Sequence, residues 1–319
     1  VFILAGAEDL VPELTAAGVP LRRRRTVDGQ SYEVTRYRPR IEGLHARIER
    51  WSDTASGETH WRSIDRGNVT TVYGRDAESR IADPDDPDRR IFSWLICESF
   101  DDRGSAMVYR YAAEGDDGAD LDAAHERNRP PQARTANRYI KSIRYGNPVS
   151  RLTPSGPVGG DGDLADDWLF ELVFDYGEHD EHTPTADERG KPRRCRHDPF
   201  SSHRAGFEVR TYRLCQRILM FHHFPHEADV GRDCLVRSMR LAYREVRGVP
   251  ADRELGHPAG ALLASVTVSG HRRSGTGYLT RSAWTPSSAS GLTRLNHGHG
   301  PVVRTSASVG CSKVGFGWS

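Results

Sequence analysis

The sequence has 319 residues, of which 36% are hydrophobic and 28% are charged, and its formal net charge is +1. A chain of this length buries a substantial core without disulfide bonds, and its five cysteines, which form no CxxC pair, predict mostly buried free thiols. The small net charge excludes a strong overall attraction to nucleic acid or to anionic membranes. No apolar run reaches the roughly 18 to 20 residues of a membrane helix, so no membrane span is predicted.

The first residues are apolar, but they include no methionine, no basic leader and no cleavage site. A secretory signal peptide carries such features, so we expect the sequence to be part of a longer chain. Four consecutive arginines follow at positions 22–25. Because acidic residues come after them and no aromatic residues are interleaved, we predict a solvated turn without a binding function.

Aromatic and β-branched residues recur in short runs that Gly, Asp, Asn and Pro separate, without convincing helical periodicity. This pattern predicts a mainly β fold, an antiparallel sheet of hairpins with long polar loops. The predicted strands are residues 32–37, 45–51, 69–73, 91–98, 106–111, 139–145, 168–176, 207–221, 235–245 and 261–272. Two hairpins are predicted, one at residues 65–68 (DRGN) and one at residues 101–104 (DDRG). In the second, the aspartates can bond the turn backbone and Gly can adopt positive φ.

The predicted strand 168–176 shows clear alternation. Its apolar and aromatic face is formed by Phe170, Leu172, Phe174 and Tyr176. The opposite face carries Glu171 and Asp175 together with Leu169 and Val173. We therefore predict that the aromatic face is the strongly buried one.

Four polar segments interrupt the strands and are predicted to be loops: residues 82–89, 114–134, 153–167 and 178–199. The second loop includes a possible short helix around residues 121–127, but the low apolar content of this segment gives the helix little support. Arginine and tyrosine also recur side by side, at positions 36–38, 109–111 and 212–213. These pairs predict cross-strand stacking and ion-pair ladders on a wide sheet.

Three groups of side chains have the chemistry of metal ligands, because imidazoles and carboxylates suit zinc or calcium. They are His222, His223, His226 and Glu227; Glu178, His179, Asp180, Glu181 and His182; and Asp161, Asp163, Asp166 and Asp167. Adjacent strand residues point to opposite faces, the second group lies in a charged loop, and the third lacks the terminal glutamate of a calcium loop. We predict no metal site and no cofactor site.

Catalytic motifs are missing from the sequence as well. It contains no Glu-x-Glu pair, no GxxxxGK[ST] phosphate loop and no GxSxG nucleophile elbow. Cys215 and His222 would combine a thiol with a base, but no third residue orients them, so a core cysteine is the simpler interpretation. The prediction is a chain without catalytic residues, and a metal-dependent enzyme is an alternative.

The last part of the chain differs in composition from everything before it. Ser, Gly, Thr and His dominate residues 283–319, and no acidic residue follows Glu254. A GC-rich gene translated in a shifted frame gives such a composition. We therefore predict a partial domain at residues 1–282 and an unrelated low-complexity tail at residues 283–319, with a frameshift as the hypothesis for its origin.

A series of longer motifs runs along most of the predicted domain. They are residues 6–12 (GAEDLVP), 36–43 (RYRPRIEG), 47–51 (RIERW), 68–74 (NVTTVYG), 80–84 (RIADP), 91–95 (IFSWL), 136–141 (ANRYIK), 174–180 (FDYGEHD), 196–200 (RHDPF), 206–215 (GFEVRTYRLC) and 220–225 (MFHHFP). Together they resemble the N-terminal domain of the Salmonella virulence plasmid B protein family, which the B components of insecticidal toxin complexes share.

The resemblance implies a structural part of a secreted toxin. In such toxins the B component and a C component form a hollow β-shell around a toxic polypeptide and dock on a pore-forming A component, so these two components are the implied partners. In the Salmonella proteins a similar domain precedes a transferase domain that modifies actin, which makes a carrier or secretion domain the alternative. A receptor-adhesion module is a third class. The implied location is extracellular, after synthesis in the bacterial cytoplasm.

Overall fold

The computed structural model describes residues 2–4, 9–43, 45–153, 156–157, 167–187, 191–246, 260–286 and 315–318. In chain order its strands are β1 (Phe2–Leu4), β2 (Asp9–Pro12), β3 (Arg22–Val27), β4 (Gln30–Pro39), β5 (Arg47–Asp53), β6 (Thr59–Ile64), β7 (Thr70–Tyr73), β8 (Arg80–Ala82), β9 (Ile91–Phe100), β10 (Ala106–Ala113), β11 (Arg138–Tyr145), β12 (Leu152–Thr153), β13 (Gly156–Pro157), β14 (Phe170–Asp175), β15 (Phe200–Ser202), β16 (Val209–Thr211), β17 (Arg217–Phe224), β18 (Gly231–Val246), β19 (Gly260–Ser274), β20 (Gly277–Pro286) and β21 (Gly315–Trp318). Short 3-10 turns lie at Ala77–Ser79 and Pro131–Arg134.

One 17-stranded sheet contains most of these strands, and all its pairings are antiparallel. One arm runs through neighbours in the order β9, β10, β11, β14, β17, β18, β19 and β20. A second path leads from β9 through β7, β6, β5, β4, β2, β1 and β21 back to β9. The predicted mainly β fold with an extended antiparallel sheet is confirmed.

An aromatic cluster around Trp61 lies inside this second path. The indole of Trp61 is fully buried, with an exposure of 0%. Its ring meets the ring edges of Phe2 at 4.8 Å, Tyr37 at 5.0 Å and Trp94 at 6.1 Å. Such T-shaped contacts align the electropositive ring edge with the electronegative ring face. The cluster therefore joins four strands, β1, β4, β6 and β9, through their inward side chains.

Both predicted hairpins are present. Between β9 and β10, Oδ1 of Asp101 accepts hydrogen bonds from the backbone N–H groups of Arg103 at 3.0 Å and Ser105 at 2.9 Å. Between β6 and β7, Oδ1 of Asp65 accepts from the N–H of Val69 at 2.9 Å, and Asn68 takes the left-handed conformation with φ of 58°. An aspartate side chain thus fixes each turn, which is the mechanism the sequence suggested for the turn at residues 101–104.

Three of the local predictions are wrong. Positions 22–25 belong to strand β3 rather than to a turn, although their side chains are exposed as expected. Residues 121–127 form turns instead of a helix, because polar side chains in this segment leave no apolar face to pack. The predicted strand 207–221 is two strands, β16 and β17, since the intervening chain leaves the ladder at Tyr212, whose N–H donates to Glu114 at 3.0 Å.

The predicted buried face of β14 is also wrong. Of that face, Tyr176, which follows the strand, is buried as predicted. Glu171, Val173 and Asp175 are also buried, whereas Phe170, Leu172 and Phe174 of the predicted face are only half-buried. The reason is that both carboxylates have cationic partners inside the sheet. Phe170 instead stacks on Tyr145 of the neighbouring strand, with ring centroids 5.1 Å apart.

Other predictions concern the cysteines and the chain's last part. Cys97, Cys195, Cys215 and Cys234 are free thiols, the first and last of them buried, and Cys311 lies outside the described residues. The boundary after residue 282 stays a prediction. Strand β20 runs across that position to Pro286, and β21, in the predicted tail, pairs with β1 and β9.

A glycine in the aromatic cluster gives a first test of this packing. Gly74 has φ of 61°, and a Cβ added there would lie 2.3 Å from Cδ1 of Trp94. We expect Gly74→Ala to lower the free energy of unfolding by about 3 kcal/mol, since overpacking and a left-handed non-glycine residue each cost roughly 1 to 3 kcal/mol. The measurement is urea unfolding followed by tryptophan fluorescence.

The matched control is Gly29→Ala in the turn between β3 and β4. Gly29 also has positive φ, at 78°, but nothing lies within 4 Å of the added Cβ. This variant should lower the free energy of unfolding only by the cost of placing a non-glycine residue in the left-handed conformation, roughly 1 to 2 kcal/mol. Equal losses in the two variants would contradict the close approach of Trp94 to Gly74.

Candidate functional site

Carboxylates lie inside the sheet, and they form the most unusual chemical feature of the structure. Glu98, Glu114, Glu126, Glu171 and Asp175 are between 1% and 5% exposed. Isolated charges in such positions cost several kcal/mol, whereas paired and hydrogen-bonded charges are tolerated. The partners of each carboxylate therefore decide what these positions do.

Glu98 on β9 is held between two arginines. Nη2 of Arg75 lies 2.7 Å from Oε2 of Glu98, and Arg151 donates to both carboxylate oxygens, with Nη2 at 3.2 Å from Oε2. Burial alone would raise the pKa of Glu98, but the hydrogen bonds and charges of Arg151 and Arg75 outweigh burial and lower that pKa. The group stays ionised and ties two loop segments to the central strand.

Glu126 fixes the long polar loop that follows β10. Its carboxylate accepts hydrogen bonds from Oη of Tyr212 at 2.6 Å, from Nη1 of Arg129 at 2.5 Å and from Arg210. Desolvation opposes ionisation, yet these three donors lower the pKa of Glu126. The loop is thereby attached to β16 and to the residue after it.

Glu114 lies at the start of the same loop, just after β10. Its carboxylate accepts from the backbone of Tyr212 and lies 3.3 Å from Nε of Arg213. Here burial dominates and raises the pKa of Glu114. The two neighbouring carboxylates, Glu114 and Glu126, thus have pKa values displaced in opposite directions by their surroundings.

Asp175 organises the loop that contains the second histidine group. Its carboxylate accepts from Nε of Arg217 at 2.6 Å and from the backbone N–H of Gly177 at 2.8 Å. Arg217 also donates to the backbone carbonyl oxygens of His179 at 3.0 Å and Asp180 at 2.9 Å. The chain after β14 is consequently folded back onto β17.

The histidine in that loop is already fully engaged. Nε2 of His179 lies 2.9 Å from Nζ of Lys141, and its Nδ1 lies 3.0 Å from the carbonyl oxygen of Thr185. Lys141 also forms an ion pair with Glu178. With Nδ1 donating and Nε2 accepting, neither ring nitrogen has a lone pair left for a metal ion. Burial and the charge of Lys141 lower the pKa of His179.

The acidic members of this group serve the loop backbone. Oδ1 of Asp180 accepts from the N–H groups of His182 and Thr183, both at 2.9 Å, and these bonds lower the pKa of Asp180 to about 2. Glu181 instead reaches Nη2 of Arg240 at 2.8 Å on the surface. The five side chains therefore do not converge on one point.

His223, in the first histidine group, lies in a cleft of about 520 Å³. Nδ1 of its imidazole is 3.3 Å from Asp233, and Nε2 is 3.4 Å from Glu171, whose carboxylate also accepts from Nε of Arg144 at 2.9 Å. The hydrogen bonds of Asp233 and Glu171 raise the pKa of His223 to about 9. A protonated imidazole is a cation with two donors, which cannot ligate a metal.

The other members of this group lie apart from that ion pair. His222 points to the opposite face of β17, where its ring packs on Phe170 at 5.0 Å and on Phe224 at 5.7 Å, and burial lowers its pKa. His226 borders the cleft, while the backbone N–H of Glu227 donates to the carbonyl of Phe224 in a turn. Across the described ranges, no group of three or more His, Cys, Asp or Glu side chains could hold a metal ion.

The remaining candidates do not assemble either. Asp161, Asp163 and Asp166 lie outside the described residues, and exposed Asp167 is 3.8 Å from Arg232. Sγ of Cys215 donates to the carbonyl of Arg217 at 3.3 Å. About 16 Å of extended strand then separates Arg217 from His222, so the thiol and the imidazole are not brought together.

Sequence reasoning missed the buried carboxylates and their arginines. One signal was available for Glu98, which is the only charged residue in the largely apolar β9 sequence IFSWLICESF. Of the arginines in the predicted Arg and Tyr pairs, Arg36 lies 3.5 Å from Glu13 and Arg213 lies 3.3 Å from Glu114. The cation that lies over the Tyr212 ring, at 5.2 Å, is Arg210, which was not one of the predicted partners. No comparable signal marks Glu126, which comes from a polar loop.

The fold is that of a large antiparallel β domain, and it is similar to domains of bacterial toxin proteins. The family model described as Salmonella virulence plasmid 65kDa B protein matches residues 1–224, and the chain belongs to this family. A curated relative, mono(ADP-ribosyl)transferase SpvB of Salmonella typhimurium, is 38% identical over 223 residues, which are 68% of this chain. The chain spans only 36% of that relative's length.

Two solved structures share the fold. The N-terminal domain of effector protein SpvB from Salmonella typhimurium strain LT2 has a TM-score of 0.68 and 32% identity, covering 82% of this chain and 78% of that one. The TcdB2-TccC3 crystal structure has the same TM-score and 30% identity, covering 86% of this chain and 12% of that one. The Photorhabdus luminescens Tc holotoxin pore gives equal values. The resemblance predicted from the motifs is confirmed, and the chain is a toxin-related segment.

A separate observation concerns membranes. Within the residues that the structure describes, no helix has the length and apolar character needed to cross a bilayer.

The buried ion pairs predict that removing the charge of a buried carboxylate lowers the free energy of unfolding far more than removing the charge of an exposed one. Glu98→Gln keeps the side-chain shape but leaves Arg75 and Arg151 without a counter-charge, so we expect a loss of roughly 3 to 5 kcal/mol in the free energy of unfolding. The control is Glu33→Gln, which removes the exposed pair that Arg22 forms at 3.0 Å and should cost less than about 1 kcal/mol. Urea unfolding measures both, and similar losses would refute the assigned role of Glu98.

Two histidines predict opposite pH effects. His60 is buried against Trp51, and its Nε2 accepts from Nε of Arg62 at 3.2 Å. Burial first, then the charges of Arg62 and other arginines, keep its pKa well below 6.5. As the pH falls, His60 is therefore protonated in the unfolded chain before it is protonated in the folded chain. The contribution of neutral His60 to the free energy of unfolding is full above about pH 6.5 and is lost as the pH falls below it.

For His223 the sign is reversed. Its pKa is raised to about 9 in the folded chain. Its contribution to stability is therefore full below about pH 6.5 and declines above it, until it is lost as the pH rises through the folded pKa of about 9. We expect His60→Gln to flatten the fall in unfolding free energy between about pH 7 and about pH 5, and His223→Gln to flatten the fall between about pH 7 and about pH 9. Unfolding curves across this range test both, and each variant serves as the control for the other.

Proposed function

We propose that the chain is a non-catalytic structural segment of a secreted bacterial toxin and that it forms part of the wall of a shell around a toxic cargo. The observation that carries this proposal is the likeness to TcdB2-TccC3 over 86% of the chain at 30% identity. The same fold occurs in the N-terminal domain of SpvB. The partners would be a C component that supplies the cargo and a pore-forming A component, in line with the TccC3 and holotoxin-pore names of the similar structures.

The packing supports a wall function on physical grounds. A wide sheet has little thickness in which to build an apolar core, and the apolar clusters here are small and separate. The ion pairs of Glu98, Glu126 and Asp175 attach loop segments to strands of the sheet. Buried pairs of this kind have a fixed geometry, because separating them leaves uncompensated charge.

A second candidate is the carrier or secretion domain of an ADP-ribosylating toxin. The curated relatives are named mono(ADP-ribosyl)transferases, and the matched region is 36% of their length. The chain itself contains no Glu-x-Glu pair, so the transferase activity of those proteins is not proposed for this segment. Shell and carrier functions agree in leaving the chemistry to another domain.

A metal-dependent enzyme has less support. The histidines with suitable chemistry are bound to protein groups, His179 to Lys141 and Thr185, and His223 to Glu171 and Asp233. We therefore propose no cofactor, no metal and no nucleic acid partner for this chain. Synthesis in the bacterial cytoplasm followed by release from the cell is part of the same proposal.

A segment exchange tests the shell function. The matching segment of TcdB2 is replaced by this chain, and the chimera is coexpressed with TccC3. We expect a complex that coelutes in size exclusion and protects the cargo from added protease. The chimera with Asp175→Ala, which leaves Arg217 without its partner, should assemble less well and expose the cargo.

The competing functions are separated by two assays on the same chain. A chimera that folds and binds TccC3 but leaves the cargo open to protease would contradict the wall function and favour the carrier function. Hydrolysis of NAD by the isolated chain, or a stoichiometric metal in the purified protein, would contradict the non-catalytic assignment. Expected results are background turnover and no bound metal.

A further inference from the structure

Strand β3 is an edge strand with an unusual sequence. Within the described part of the chain it pairs with β4 alone, in a register that runs from Arg22 opposite Thr35 to Val27 opposite Gln30. The connecting residues Asp28 and Gly29 both have positive φ, of 51° and 78°, as in the tight turns that fit twisted hairpins. The outer edge of β3 therefore has no strand partner among the described residues, and its outward backbone N–H and C=O groups are held in a fixed register.

The side chains on this edge are cationic on both faces. The first four residues of β3 are exposed arginines, and alternation places Arg23 and Arg25 on one face and Arg22 and Arg24 on the other. Arg22 is 3.0 Å from Glu33 on the neighbouring strand. Among the described residues Arg23, Arg24 and Arg25 form no ion pair, so three guanidinium groups on adjacent positions remain available.

One face continues the positive charge into the sheet. Arg23 and Arg25 line a small groove with Arg36, Arg47 and Glu49. The groove holds about 30 Å³, which is close to the volume of one water molecule in the liquid. It accepts the tip of one acidic side chain but not a small-molecule ligand. Glu49 is already occupied by Nε of Arg47 at 2.9 Å, so it neutralises only part of this charge.

We propose that the outer edge of β3 binds an acidic segment of a partner protein, which adds to the sheet as an extended strand. The backbone of the segment would satisfy the free edge groups of β3, and its Asp or Glu side chains at alternate positions would lie on one face, against Arg23 and Arg25. Strand addition obtains affinity from main-chain hydrogen bonds and specificity from side chains at alternate positions. This inference is independent of the shell function.

Charge complementarity selects this occupant over others. A second copy of β3 would place arginine opposite arginine, and like charges directly opposite each other destabilise a strand pair. A nucleic acid would meet the arginines, but it has no backbone amides for the free edge, and the nearby Tyr32 ring is engaged with Trp51 and His60 at 5.4 and 5.6 Å instead of being open to a base. Free phosphate would use the charge alone.

Edge arginines also have a simpler explanation, because charged edges prevent aggregation between sheets. That explanation predicts no affinity for an acidic strand beyond general attraction. The two explanations differ in one respect: only strand addition requires the backbone N–H groups of the bound peptide. An experiment that removes those groups while retaining the charges therefore separates them.

The test uses fluorescence anisotropy with the whole 319-residue chain and a labelled peptide of alternating glutamate and valine. We expect saturable binding that weakens as salt is added. A peptide of the same sequence with an N-methyl group on every residue keeps its charge but has no backbone N–H to donate along either edge, and it should bind at least about ten-fold more weakly, since its main-chain N–H hydrogen bonds are lost. Equal binding of the two peptides would overturn strand addition.

Variants locate the site. Arg23→Glu combined with Arg25→Glu should weaken binding of the unmodified peptide by about ten-fold or more, because two attractive pairs become repulsive. The matched control is Arg66→Glu with Arg103→Glu, two exposed arginines in other hairpin turns, which should leave binding within about two-fold. All four substituted positions are exposed, and unchanged thermal unfolding confirms intact folding.

The remaining outcomes also decide the proposal. Displacement of the peptide by oligo-dT or inorganic phosphate at the same charge concentration would identify the edge as a general anion site and contradict a peptide site. Retained affinity in the double variant at positions 23 and 25 would place binding elsewhere and likewise overturn the inference. A lysine and valine peptide should show no binding at all.

Discussion

The pairing of buried carboxylates with arginines is the constraint on which the rest of this structure depends. Glu98, Glu126 and Asp175 lie in the interior with exposures of 1%, and each would be untenable there without its cationic partner. Each partner comes from a different part of the chain, so the ion pairs connect strands to loops. In a wide sheet with small apolar clusters, these connections hold the polar segments in place. Breaking one pair would leave an uncompensated charge in a poorly solvated position.

The same constraint also fixes two histidines that have the chemistry of metal ligands. His179 has its ring nitrogens committed to Lys141 and a backbone carbonyl. His223 is a cation held by Glu171 and Asp233, as its pKa of about 9 indicates. These histidines therefore work as parts of the ion-pair network. A site that must change protonation or bind metal needs a free lone pair, and the network removes it.

The exposed arginines of β3 differ from the buried ion pairs because most of them have no acidic partner among the described residues. Inside the sheet every described acid has a basic neighbour, but on β3 the basic residues outnumber the acids within reach. Interior pairs fix the fold, whereas unpaired surface charges cost little and remain available to a partner. The family relationship to SpvB and to TcdB2-TccC3 concerns the sheet as a whole. The exposed edge of β3 is a separate feature, which concerns the binding of a further strand to that sheet.

The sequence by itself determined many of the strands, both hairpin turns and the family, because these depend on neighbours within a few residues or on motifs, but it did not predict β3 or the division between β16 and β17. It placed β14 correctly but buried the wrong face, and it assigned no role to Glu98 or Glu126. Only the tertiary structure decided those points. The partners Arg151, Arg210 and Arg217 stand 53, 84 and 42 positions from the acids they bind. A local pattern records hydrophobicity along a strand, and it cannot record a counter-charge that arrives from so far along the chain.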